Sequence, residues 1–400
     1  MNKKNVVVGV TGGVAVYKAL DVISRLKKKD INVDVIMTKS ACEFVTPLSF
    51  QSLSQNAVIK DMFDEPKVFE IQHISLAKKA DVLVVVPATA NIIGKVANGI
   101  ADDMLSTTIM ATNAKVIFAP AMNTNMYNNP IVQENIKKLK DYGYEFIDPS
   151  SGRLACGDVG DGKLADTEEI VEVILSQLHE PKDLIGKKVL VTAGPTRANI
   201  DPVRFLTNKS TGKMGYAIAE EARDRGAEVV LISGPTNIKP LVGVRTINVE
   251  TNEEMLNAVK SEFDSSDIVV KSAAVSDYKP KTYSDKKIKK GSGNLNMELI
   301  RDNDILKELG TLKKHQILVG FAAESNDVIK NAHIKLEKKN LDYIVANDIT
   351  ESDAGFGTDT NRVTIINRDG KEISLDNMSK RLVGYELFNM ILNNKARENK

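Results

Sequence analysis

Short apolar runs rich in β-branched residues recur along this chain, and each is followed by a stretch with helical spacing. In residues 6–10, 33–37, 82–86 and 116–119 the apolar residues are nearly continuous, whereas a strand with one wet face would alternate. Both faces of such strands must be covered, and helices between parallel strands do that. The order returns after a break, in residues 189–192, 229–232, 268–270, 317–320 and 343–346. Residues 363–367 and 373–375, with Asp369-Gly370 between them, read as a β-hairpin closed by a two-residue turn. Around residues 179–187 the periodicity lapses into Pro, Gly and charge, which places the boundary between two doubly wound α/β domains there.

A length of 400 residues gives each half room for its own core. Lys and Arg number 54 against 53 Asp and Glu, so no overall field draws the chain to nucleic acid or to an anionic membrane. Two cysteines, Cys42 and Cys156, make neither a disulfide framework nor a paired metal motif, and a reducing cytoplasm is the expected location. Lys3-Lys4 and the apolar run after them imitate a signal peptide, but Gly9, Gly12 and Gly13 interrupt the run and helical spacing continues beyond Lys18. No segment approaches the ~18 uninterrupted apolar residues of a membrane span.

An open sheet offers its ligand crevice at the carboxyl ends of its strands, where the strand order reverses. In the first half these ends carry Thr11-Gly12-Gly13, Thr38-Lys39-Ser40, Pro87-Ala88-Thr89-Ala90-Asn91 and Pro120-Ala121-Met122-Asn123. The first turn lacks the second glycine of GxGxxG, and hydroxyls stand where a dehydrogenase carries its ribose-binding acid, so a mononucleotide phosphate suits the crevice better than a dinucleotide. Cys156 sits in residues 151–163, where four glycines permit a mobile lid and a thiol can donate a proton. A lone histidine such as His73 is more often structural than catalytic, and its neighbours must decide.

In the second half Asn208 to Gly215, NKSTGKMG, leads into a helix. It fails the P-loop pattern because Met214 follows the lysine, yet Ser, Thr and Gly at a helix start suit a phosphate. The lysine run 286–290 is by itself a solvated surface. Lys335 and Lys339, four apart on one helix face, are solvated by default and could meet a triphosphate.

VTGG, HISLA from His73, PATAN, PAMN and LACG resemble, in order and spacing, the flavin-dependent phosphopantothenoylcysteine decarboxylase family over about the first 175 residues. The resemblance implies a flavodoxin-like flavoprotein domain over residues 1–180. In it FMN would be held by Gly12, Gly13, Val14, Thr38, Ser40, Ala88, Thr89, Ala90, Asn91 and Ala121. It also implies His73 as base, Asn123 as the residue binding the substrate carboxylate and Cys156 as proton donor. The second-half motifs, with VGFAAE and LDYIVAND, resemble the phosphopantothenate-cysteine ligase family and imply a Rossmann-like ligase domain with a β-hairpin over residues 186–400.

Joined, the halves resemble the bifunctional coenzyme A biosynthesis enzymes of bacteria and archaea. That implies 4'-phosphopantothenate, cysteine and CTP as substrates, with Mg2+ accompanying CTP. Lys287 would neutralise phosphate charge as an acyl-cytidylate forms, Asn208 would assist its conversion, and Arg204 would bind substrate. Ala273, Asp277, Asp302, Asn303, Asp304, Ile305, Phe321, Lys335 and Lys339 would complete the nucleotide site. Where the family usually reads Pro-Asp-Ile, this chain has Asn303-Asp304-Ile305, and loss of the proline is expected to loosen that loop. The family further implies a homo-oligomer with trimeric flavin domains and dimeric ligase domains, which a dodecamer would satisfy. A non-catalytic flavin-binding scaffold and a nicotinamide dehydrogenase are the competing readings.

Overall fold

The computed structural model describes residues 3–63, 71–155, 157–290, 294–324, 326–348 and 357–398. The chain divides into two compact units, Met1–His179 and Glu180–Lys400.

In the first unit β1 (Asn5–Val10), β2 (Asn32–Met37), β3 (Val58–Ile59), β4 (Val82–Ala88), β5 (Lys115–Pro120) and β6 (Glu145–Phe146) form a parallel sheet in the order β3-β2-β1-β4-β5-β6. The order reverses between β1 and β4. All seven side chains of β4 are buried, because helices cover both faces of the sheet. Ala90–Ala97, Met104–Ala111 and Pro130–Asp141 pack on Val7, Leu83, Val85 and Phe118, while Val16–Lys28 and Thr167–Leu178 cover the other face. A small antiparallel hairpin follows, β7 (Ser150–Arg153) and β8 (Val159–Lys163).

The second unit begins its sheet at β9 (Lys188–Ala193), then adds two short strands outside it, β10 (Arg197–Asn199) and β11 (Phe205–Thr207). It continues with β12 (Glu228–Ser233), β13 (Arg245–Asn248) and β14 (Ile268–Lys271), another outlying pair, β15 (Tyr278–Pro280) and β16 (Leu299–Arg301), and then β17 (Ile317–Glu324), β18 (Tyr343–Asp348), β19 (Thr360–Asn367) and β20 (Glu372–Ser379). The main sheet runs β13-β12-β9-β14-β17-β18-β19-β20, parallel as far as β18 and antiparallel after it. Alternate residues of β9 enter opposite cores: Val189, Val191 and Ala193 pack under helices Lys213–Asp224 and Lys380–Glu398, and Leu190 joins the core of helices Asn252–Phe263, Ile305–Leu312 and Val328–Lys338. That division is the physical origin of the continuous apolar runs.

The β19–β20 connection differs from the expected two-residue turn. Three residues turn the chain, Arg368, Asp369 and Gly370, with the Gly370 N–H donating to the Asn367 carbonyl at 3.1 Å. Gly370 at φ +82° takes the left-handed conformation that such three-residue connections place on glycine. Ahead of β9, Leu184 is buried in the second core and Asp183 pairs with Arg225 at 3.2 Å. Arg225 is fully buried, donating also to Glu221 at 2.9 Å, the Tyr385 carbonyl at 3.0 Å and Asn389 at 2.7 Å.

Candidate active sites

At the reversal in the first sheet, the ends of β1 and β4 are tied together by Thr11. Its buried hydroxyl donates to the Pro87 carbonyl at 2.7 Å and accepts from the Thr89 N–H at 3.2 Å. The residue that breaks the dinucleotide pattern is therefore a strut of the crevice. Gly12 lies against Ser40, where a Cβ would stand 2.4 Å from the serine Cβ, so only glycine lets these two loops close the crevice floor. Thr38 caps the short turn Lys39–Cys42 through the Ala41 N–H.

A cavity of about 780 Å³ opens over these groups, lined by Thr11, Gly12, Thr38, Ser40, Thr89, Ala90 and Asn91, with Lys60, Lys95 and Met126 at its margin. Hydroxyls, small residues and a bare glycine cradle fit a flavin mononucleotide. Gly13, Val14, Ala88 and Ala121 do not line the cavity, although the Ala121 N–H donates to the Ala88 carbonyl at 3.0 Å and so joins the ends of β4 and β5.

Asn123 and His73 stand outside that cavity. His73 lies half-buried in the first turn of Gln72–Lys79. The Asn123 amide donates to Asp158 at 2.8 Å, and the Met122 N–H donates to the Gly162 carbonyl at 2.9 Å. The glycine-rich segment expected as a mobile lid is thus a hairpin seated on the Asn123 loop. Two of its glycines serve close approach: a Cβ at Gly162 would meet the Met122 oxygen at 2.4 Å, and one at Gly160 would meet Thr124 at 2.8 Å. Cys156 lies outside the described residues.

In the second unit the ends of β9 and β14 are bound by hydroxyls. Thr192 accepts from the Ala273 N–H at 3.1 Å, and buried Thr196 accepts from the Ser276 N–H at 3.2 Å. Asn208 donates to the Ala274 carbonyl at 3.0 Å, which brings NKSTGKMG against the end of β14. A cavity of about 710 Å³ lies there, lined among others by Asn208 to Gly215, Lys271 to Val275, Asp277, Asn303 to Leu306, Phe321, Lys335 and Lys339.

Lys335 pairs with Glu324, and Lys339 pairs with Asp304 at 2.9 Å; both lysines are half-buried and line the cavity, which the default reading of a solvated face does not describe. Where the family proline is absent, the neighbouring loop is tied by side chains. Asp302 pairs with Lys279 at 3.0 Å, Asn252 donates to the Asn303 carbonyl at 2.9 Å, and Asp304 caps the helix Ile305–Leu312.

Arg204, Lys287 and Asp302 do not line the cavity. Arg204 donates to Asp201 and, at 2.7 Å, to the Ile288 carbonyl, next to exposed Lys287. Asp201 in turn accepts from the Ile288 N–H at 3.1 Å. The Arg204 guanidinium and these N–H donors hold the Asp201 carboxyl far below the usual carboxylate range.

Sequence reasoning passed over Asp201, because nothing local shows that this partner of Arg204 also accepts from a backbone N–H 87 residues on. It also passed over Lys271, which ends an apolar run, and Asn347 and Asn361. The side-chain oxygens of these two asparagines are buried in the cavity wall without a hydrogen-bond partner, an arrangement that suits a bound ligand. Among the described residues no group of three or more His, Cys, Asp or Glu could hold a metal, and no helix is long and apolar enough to cross a membrane.

Residues 1–179 match the flavoprotein family, and residues 184–394 match the DNA/pantothenate metabolism flavoprotein C-terminal domain. Two joined α/β units of these families define a bifunctional flavoprotein. The chain is 53% identical over 394 residues to the coenzyme A biosynthesis bifunctional protein CoaBC of Bacillus subtilis (strain 168), covering 98% of this chain and 97% of that one. It is 38% identical over 401 residues to CoaBC of Escherichia coli (strain K12), covering 99% and 98%. The crystal structure of a CoaBC C-terminal domain shares 44% identity, covering 55% of this chain and 100% of that one, with a TM-score of 0.47. This chain belongs to the family of bifunctional coenzyme A biosynthesis proteins.

Proposed function

We propose that this chain converts 4'-phosphopantothenate and cysteine into 4'-phosphopantetheine in two steps, ligation over residues 186–400 and decarboxylation over residues 1–180. As a member of its family it is a bifunctional enzyme of coenzyme A biosynthesis, a flavoprotein decarboxylase joined to a ligase. Nothing among its relatives supports the non-catalytic scaffold.

In the ligase step the substrate carboxylate attacks the α-phosphorus of CTP and pyrophosphate leaves. The cysteine amine then attacks the acyl carbon and CMP leaves. The observation that carries this reading is the cavity in which Asn208, fixed on the Ala274 carbonyl, shares walls with Lys335, Lys339 and the start of helix Lys213–Asp224. Cations and free helix N–H groups oppose the charge that builds on the departing phosphates. Lys287 adds to them from its loop, and Arg204 holds substrate beside it. Asp277 and Phe321 line the nucleotide's place, and Mg2+ accompanies the triphosphate.

For the decarboxylase step Gly12, Thr38, Ser40 and Thr89 to Asn91, which line the crevice, would hold FMN. The chemistry that flavin would supply there is reversible two-electron oxidation of the substrate thiol, with the electrons returned after CO2 has left, so that no net oxidation results. His73 removes the proton, Asn123 holds the carboxylate that is lost, and Cys156 protonates the enethiolate left behind. Val14 and Phe63 are exposed near the crevice, which supports a flavin site completed by a second copy of the chain. The near balance of charge and the two cysteines support a cytoplasmic location.

Mass spectrometry of products after incubation with phosphopantothenate, cysteine, CTP and Mg2+ tests both steps. Phosphopantetheine with CMP is expected. Phosphopantothenoylcysteine alone would remove the decarboxylase assignment, and unchanged phosphopantothenate would remove the ligase assignment.

A further inference from the structure

Asn123, assigned above to the carboxylate that the substrate loses, is itself hydrogen-bonded to a carboxylate of this chain. Its Nδ2 donates to the Asp158 Oδ2 at 2.8 Å. Other bonds fix both partners. The Asn123 Oδ1 accepts from the Asn125 N–H at 2.8 Å, so the amide cannot turn its oxygen toward Asp158 without losing that bond. On the hairpin β7–β8 the Asp158 carbonyl accepts from the Leu154 N–H at 2.8 Å, and further along the Gly162 carbonyl accepts from the Met122 N–H at 2.9 Å. Gly160, between them, lies against Thr124 too closely for a Cβ. The seat of the hairpin thus holds the acid beside the amide, and engagement of a substrate does not require it to leave.

We propose that Asp158 is a fixed negative charge beside the departing carboxylate, and that relief of their repulsion favours the loss of CO2. The inference rests on the decarboxylase reading above and adds a residue to it. Two oxygens accepting from one amide nitrogen stand about 5 Å apart, close enough for their charges to repel. In the step itself the thiol has been oxidised to a thiocarbonyl, and the bond between the carboxyl carbon and Cα breaks. Its electron pair forms a carbon–carbon double bond and displaces the thiocarbonyl pair onto sulfur, and CO2 leaves uncharged. Negative charge therefore passes from the oxygens beside Asp158 to a sulfur further along the substrate. The repulsion is present in the bound substrate and weakens in the transition state, which is the condition for it to raise the rate. Asp158 is exposed on the hairpin, which places the effect toward the weak end for two charges at that distance, about 3- to 30-fold.

The test supplies the full chain with phosphopantothenoylcysteine and compares Asp158→Asn with the unaltered protein. Asparagine keeps an oxygen for the Asn123 amide and removes the charge. The single-turnover rate of CO2 release should fall about 3- to 30-fold. Phosphopantothenoylserine carries the carboxylate but no thiol to oxidise, and in calorimetry without CTP its affinity should rise by a similar factor. Affinity for phosphopantetheine, which has no carboxylate, should stay the same. Asp158→Glu, which restores the charge, should recover part of the rate. Slower release with unchanged or weaker binding of the serine compound would overturn the proposal and leave Asp158 a clasp for the hairpin. Tighter binding with an unchanged rate would overturn it as well, making the acid a competitor for the amide. Both outcomes would leave the decarboxylase reading standing. Absence of CO2 release from the unaltered protein would remove that reading and the proposal with it.

Discussion

The Asp201 carboxylate accepts from the Val203 and Arg204 N–H groups at 2.9 Å, from the Arg204 guanidinium, and from the Ile288 N–H at 3.1 Å. One buried acid thus fixes both Arg204 and the backbone beside Lys287. Asp201→Asn keeps the shape and removes the charge, so ligation should fall at least about tenfold in a coupled pyrophosphate assay. The pH dependence follows from the direction of the shift. A carboxyl held below its unfolded value of about 3.9 contributes its full stability above that pH and loses it as pH falls through the lower folded value. The difference in melting temperature between the unaltered chain and Asp201→Asn should be complete at neutral pH and narrow only below about pH 4. No local pattern announces this residue. Arg204 and Val203 lie within three residues of it, but the Ile288 N–H that ties it to the Lys287 loop lies 87 residues on, whereas the glycines and hydroxyls at the strand ends declare themselves within five residues.

Among elements, the central parallel strands of both main sheets were legible because burial on two faces forces a continuous apolar run, whereas the short edge strands β3, β6 and β13 were not. The outlying pairs β10–β11 and β15–β16 were not, since Arg197-Ala198-Asn199 and Tyr278-Lys279-Pro280 are short and largely polar. Their pairing comes from their surroundings, as with Arg197 over the Phe205 ring at 4.2 Å. The hairpin β7–β8 was read as a lid because glycine signals freedom and close approach with the same letter. Gly162 at φ +117° decides for close approach, since an added Cβ would meet the Met122 oxygen. Gly162→Ala should push the hairpin off the Asn123 loop and reduce decarboxylation about tenfold or more, while flavin absorbance of the purified protein stays near one per chain.

Helices Lys213–Asp224 and Lys380–Glu398 are joined by buried charge as well as by apolar contact. Arg225 and Glu221 are each about fully buried, at 0% and 1% of side-chain exposure, and a surface ion pair of the same geometry would contribute little. Taking away this cation leaves Glu221 to Arg381, at 3.3 Å, and strips the Tyr385 carbonyl and Asn389 of their donor, so Arg225→Met should cost about 2–3 kcal/mol in a urea titration of the full chain.

At the scale of the whole molecule, the flavin crevice brings together Gly12, Thr38, Ser40 and Thr89 to Asn91 but leaves His73 and Asn123 outside it. Exposed Val14, Tyr17, Phe44 and Phe63 belong to the same unit. On the proposal that a second copy completes the flavin site, light scattering of the purified chain should return a mass that is a multiple of three chains; a monomer of 43.8 kDa would exclude a shared site. Sequence alone could place the motifs but not which of them line one crevice, because nothing in a chain's order records what a loop will face.

Asp183 precedes the first strand of its sheet, yet its carboxylate completes the shell around Arg225, and Leu184 behind it fills the core. The tether between the two catalytic units is therefore owned, at its carboxyl end, by the ligase. Anyone dividing the gene to obtain that half alone should cut between His179 and Lys182; a start at Gly186 would discard a counter-ion and a core side chain, and the product would be a poorer protein than the intact chain contains.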